Sequence, residues 1–139
     1  MRSKVLSSLH ALEELYDTKF RPVNSEFKQI ATNWQMKTSP DGSNVLNDHT
    51  DKEYDRKVIT SLFELHERVK KITPELTALY PETQGYVQRL EAALEKVKQG
   101  DDKYFTGVTV DSYHTAWYEF HFELLKKLGR EGKLSPDEV

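Results

Sequence analysis

The stretch Asp111–Leu128, D-S-Y-H-T-A-W-Y-E-F-H-F-E-L-L-K-K-L, constrains the fold more than any other part of this chain. Drawn as a helix at about 100° per residue, its apolar residues cover an arc of roughly 200°. Phe120, Tyr113, Leu124, Trp117 and Leu128 lie along one side of that arc, and Leu125, Tyr118 and Phe122 along the other. A helix on the rim of a bundle needs an arc of only about 100–140°. A helix this wide is therefore central in a bundle or shared with a partner. His114 and His121 fall near the middle of the arc, where an imidazole must find a hydrogen-bonding partner or a ligand.

The 3.6-residue period recurs along the chain and predicts five helices. The first covers about Ser3 to Phe20, with Val5, Leu9, Leu12, Tyr16 and Phe20 on one face and Leu6 and Leu15 at its edges. Pro22 ends or kinks it, since proline lacks an N–H and disfavours helix in the residue before it. The second covers about Asn24 to Lys37, striped by Phe27, Ile30 and Trp34. Thr38 to His49 carries Pro, Gly, Asn and Asp and reads as an exposed loop. The third begins at Thr50, where T-D-K-E has the form of a capping box, and ends near Ile72 before a short turn at Thr73–Pro74. Pro81 opens the fourth, which Gly100 stops. Asp111 is the expected cap of the fifth, which Gly129 closes. The fold expected is an all-α, four- to five-helix up-and-down bundle in one domain, residues 1–139, with the second helix folded over one end or continuing the first.

The last residues, 130–139, read as a flexible tail. Ser135-Pro136-Asp137-Glu138 has the form of a helix start, so a chain that continues beyond Val139 is the other reading.

Composition excludes several classes. There is no cysteine, hence no disulfide and no thiolate zinc site. A net charge of −3 with both signs interleaved gives no field to attract a polyanion, and the runs Arg68-Val69-Lys70-Lys71 and Lys126-Lys127 are short and flanked by acids. Nucleic-acid binding is not expected. Neither is a membrane span, a signal peptide or a cofactor; the N-terminus has no continuous apolar run, and no phosphate-binding glycine motif occurs. A cytoplasmic setting is expected. Asp51, Glu53 and Asp55 alternate with Lys52, Arg56 and Lys57, the pattern of a solvated helix start rather than paired catalytic acids.

Two candidate sites remain. His66, His114 and His121, with Asp55 and Glu13, could point inward and hold a metal, as facing helices do in bundle metalloproteins. Against this, neither H-E-x-x-H nor E-x-x-H occurs, and two histidines seven residues apart are about 10 Å apart along the axis. Core or interface histidines satisfied by a backbone carbonyl or a tyrosine hydroxyl explain the same residues. Tyr113, Trp117, Tyr118, His114 and His121 could alternatively line an apolar pocket for a small ligand. The leading expectation is a non-enzymatic module that binds protein, including a second copy of itself, with Tyr118, Phe122 and Leu125 at the seam.

Overall fold

The structure, a computed structural model, describes residues 2–138. Side chains of residues 2–7 and of Asp137 lie outside the described set, and with them the expected stripe position Val5 and edge position Leu6. The chain is an all-α helical bundle, 73% helical with one small two-stranded sheet.

The first two helices form one continuous rod: α1 (Arg2–Leu15), a π-helical turn (Tyr16–Phe20) and α2 (Arg21–Gln35). Pro22 neither ends nor breaks it. The N–H of Arg21 reaches the carbonyl of Tyr16, five residues back, so the turn before the proline is one residue wider than an α turn. Proline cannot donate to the carbonyl four residues back and its ring crowds that carbonyl. The wide turn relieves both problems, and the rod passes through.

The segment expected to be a plain exposed loop is a hairpin. Strands β1 (Met36–Thr38) and β2 (Asn44–Leu46) pair antiparallel, with Lys37 opposite Val45. Gly42 takes φ +87°, a conformation that favours glycine. The Asp41 carboxylate accepts hydrogen bonds from the Ser39 and Ser43 hydroxyls and the Ser43 N–H, which hold its pKa down to about 2. The return strand is exposed, as expected, but the residue after it, Asn47, is buried with its amide donating to the Trp34 carbonyl and the Asp55 carboxylate.

Helix α3 (Lys52–Leu79) starts one residue later than expected and ends a full two turns later. Asp51, not Thr50, is the cap; its carboxylate accepts from the Tyr54 N–H at 3.1 Å, while the Thr50 hydroxyl donates to Asp48. The helix runs through Pro74 because the turn beyond it buries Leu76 completely. That burial contributes about 1.5–3 kcal/mol. A 3₁₀ turn (Pro81–Thr83) leads into α4 (Gln84–Lys98), and Gly100, φ +94°, follows it. A short α5 (Lys103–Thr106) precedes α6 (Tyr113–Lys127). The cap of α6 is Ser112, whose hydroxyl accepts from the Thr115 N–H at 3.2 Å. Asp111, the expected cap, instead pairs with Arg89 of α4 at 2.7 Å.

The wide apolar face of α6 is explained first by its position. It packs on α4 and α5, meets the rod of α1 and α2 through Phe20 and Phe27, and touches α3 through Tyr113 and His66. Trp117 lies parallel to Phe20, centroids 4.7 Å apart, and Phe120 stacks on Tyr86 at 5.6 Å. Leu125, expected at a seam between copies, is only 3% exposed and belongs to this core. The far edge of the arc stays outside: Tyr118 is 67% exposed and Phe122 is 48% exposed.

Candidate functional site

The residues proposed for a metal do not converge. His66 Nδ1 bonds the Tyr113 hydroxyl at 2.9 Å, and its Nε2 lies 3.1 Å from Glu91 Oε1 but off the hydrogen-bonding direction. His121 Nε2 bonds the Tyr16 hydroxyl at 2.8 Å. Asp55 is buried under the hairpin, accepting from Asn47 Nδ2 at 2.8 Å and pairing with His49 Nδ1 at 2.9 Å. Glu13 is exposed and pairs with Arg130 at 3.3 Å. His114 stands apart on the surface beside Phe27. These five side chains do not meet at one point, and among the described residues no group of three or more His, Asp or Glu is arranged to hold an ion. Sequence spacing could not reveal this, because the two tyrosines that satisfy the buried rings come from other helices.

Four of the five residues expected to line a pocket do meet. A cleft of about 250 Å³ lies between α2 and α6, lined by Asn24, Phe27 and Lys28 on one side and His114, Trp117, Tyr118 and His121 on the other, with Glu138 at its edge. Tyr113 is the exception. It is fully buried with its hydroxyl on His66, and that burial pushes its phenol well above the ordinary range.

The amphipathic period of α2 puts Phe27 inward and Asn24 one turn before it. Asn24 is 3% exposed and its carbonyl accepts from the Trp117 indole N–H at 2.8 Å, so one hydrogen bond fixes the indole as a wall of the cleft. His114 sits at the mouth with one side against Phe27, ring centres 5.8 Å apart. Burial of that side lowers its pKa below the ordinary histidine value.

At the edge of the cleft the π turn presents Tyr16. Its hydroxyl donates to the Glu138 carboxylate, so toward His121 it must accept, which places a proton on His121 Nε2. Burial first, and the neighbouring carboxylate second, hold the Tyr16 phenol far above its usual range. It therefore stays protonated near neutrality and acts as a hydrogen-bond relay rather than a base.

Glu138 belongs to the segment expected to be a loose tail. Past Gly129, φ +70°, Arg130 folds back onto the π turn and grips Asp17 with two bonds of 2.7 and 2.8 Å. That pairing holds the Asp17 carboxyl below its usual range. The Glu138 carboxylate then accepts from the Ser135 N–H at 3.0 Å, the return bond of the capping box, and lies 3.8 Å from Arg21. Sequence reading missed Asn24, Tyr16 and Glu138 as site residues. Asn24 carried a signal, since an amide on the buried stripe of an amphipathic helix must be hydrogen-bonded.

The fold and cleft define an all-α bundle with a surface cleft beside an exposed aromatic edge. No protein-family model, curated protein or solved structure matches the chain. Among the described residues no helix is long and apolar enough to cross a membrane.

Proposed function

We propose that the chain is a non-enzymatic helical module that binds protein, a second copy of itself included, through the outer edge of α6. The observation that carries this reading is the pair Tyr118 and Phe122, 67% and 48% exposed, one turn apart and beside the cleft. Aromatic rings in such a position are enriched at protein interfaces, and covering each contributes about 1.5–3 kcal/mol when complete. The cleft volume favours the same reading. About 250 Å³ is below the roughly 300–1,000 Å³ of small-molecule pockets and suits one or two partner side chains.

Sedimentation velocity at high micromolar concentration tests the self-association. The expected result is a dimer that Phe122→Glu converts to a monomer with an unchanged helical CD spectrum. A wild-type chain that sediments as a monomer there refutes the homodimer. A second reading, a small apolar ligand against Trp117 with His114 as its polar handle, is supported by the cleft lining, and native mass spectrometry of the purified chain separates the two by stoichiometry and retained mass.

A further inference from the structure

We infer that the α2/α6 cleft receives an acidic peptide segment of a partner protein, and that the chain's own segment Ser135–Glu138 is a displaceable occupant of one end of it. The inference rests on the reading of this face as the interaction surface and adds the chemistry of what it takes. Glu138 is 6% exposed, whereas Glu131, Gly132, Lys133, Leu134 and Pro136 around it are all exposed. The segment is thus seated by one described side chain. Its carboxylate is received by the Tyr16 hydroxyl, with Arg21 3.8 Å away. This is a carboxylate position built by the π turn, and Lys28 on the cleft wall adds positive charge to the same side.

Among the described residues of the segment, none but Glu138 lines the cleft. Leu134, its large apolar residue, is 40% exposed and does not line the walls formed by Phe27, Trp117 and Tyr118. Two positions therefore lie side by side, one for a carboxylate, taken by Glu138, and one for an apolar side chain, which no described side chain of the segment enters. Holding it also orders every residue between the Arg130 clamp and Glu138, a conformational cost set against one buried side chain among the described residues. A partner segment that offers a carboxylate next to a large apolar side chain fills both positions and displaces it.

The probe is a synthetic peptide of residues 132–139, G-K-L-S-P-D-E-V, added to the full chain and followed by the Trp117 indole N–H resonance and by calorimetry. A plug seated nine-tenths of the time lowers apparent affinity about tenfold, so Glu138→Ala is expected to bind the peptide about tenfold more tightly than wild type. Glu138→Gln, which keeps the shape, is expected to move in the same direction. Adding Tyr16→Phe to Glu138→Ala is expected to reverse most of the gain. The same peptide with alanine at the Glu138 position is expected not to bind any form, a control that needs no variant to fold. Equal affinity of wild type and folded Glu138→Ala, or no binding to either at millimolar peptide, overturns the inference. Peptide failure with an intact Phe122-dependent dimer defeats this inference alone; peptide binding by a monomeric wild type defeats only the homodimer.

Discussion

Replacing Trp117 by alanine tests whether the α6–rod junction is the centre of the molecule. Trp117 is 3% exposed, lies flat on Phe20 at 4.7 Å and contacts Phe27 at 5.6 Å and Phe120 at 6.1 Å. Truncating a buried tryptophan to alanine costs about 3–5 kcal/mol in lost transfer energy and residual cavity. The substitution also orphans the Asn24 carbonyl, which otherwise accepts the indole N–H. An unsatisfied buried acceptor adds about 1–3 kcal/mol, and water entering from the adjacent cleft keeps this term near about 1. The expected loss is therefore about 4–6 kcal/mol. For 139 residues the entropy of unfolding makes each kcal/mol worth about 3–4 °C in Tm, so the melt is expected to fall by about 12–24 °C. Urea unfolding followed by CD at 222 nm measures it without relying on indole fluorescence. Trp117→Phe, which keeps a ring but not the donor, isolates the Asn24 term at about 1 kcal/mol. A loss below about 1 kcal/mol for the alanine variant would place the core elsewhere and refute the packing argument.

Asp55→Ala is expected to cost about 2–4 kcal/mol by stranding the buried Asn47 amide and releasing His49, and amide exchange in residues 36–47 should speed up while the middle of α3 stays protected. Gly107→Ala is expected to destabilise by about 1–3 kcal/mol, because a Cβ there would meet the Lys103 carbonyl oxygen at 2.3 Å and backbone cannot move aside cheaply; a melt within error of wild type would contradict the close approach. His114 gives a pH dependence of fixed sign. Its folded pKa is lowered by burial, so the unfolded chain binds more protons, and the contribution of this group to stability, complete above about pH 6.5, is lost as pH falls through the folded value. NMR titration of the His114 ring giving a pKa at or above about 6.5 would show that the ring is not desolvated at the cleft mouth.

Features with a short-range physical code were legible in the sequence. The third helix reads as one seam of Tyr54, Val58, Leu62, Leu65, Val69 and Ile72 at the helical period; its four central residues are buried, and Tyr54 and Ile72 at its ends are half-buried. The breadth of the α6 face left two readings, a central helix or one shared with a partner; most of that face packs on α4, α5 and the rod, and its outer edge, Tyr118 and Phe122, stays exposed. Starts were misplaced by one residue, Asp51 for Thr50 and Ser112 for Asp111, because adjacent Asp, Ser and Thr all satisfy the capping rule and only the turn geometry selects among them. Pro74 read as a stop because the packing of Leu76 against the core, which keeps the helix going, is a tertiary term. The same holds at the cleft. The imidazoles on α6 were visible, but the Tyr16 hydroxyl that meets His121 lies 105 residues away, and Glu138 arrives only because Arg130 turns the chain back onto Asp17.

The π turn makes chain length at one place matter more than chemistry. Thr18 and Lys19 face solvent there, so their side chains are open to wide substitution. The number of residues is not. Each residue in a helix is about 100° of rotation, and the wide turn absorbs one more than a plain α turn would. It thereby sets the angular phase of α1 relative to α2, which lets Leu12 and Tyr16 face the same interior as Val23 and Phe27. A further residue inserted there, with no second wide turn to absorb it, would turn the whole of α1 by about a quarter of a revolution, carrying Leu12 toward water and Asp17 away from Arg130, whereas deleting Lys19 would close the turn to a plain α turn and keep the present phase.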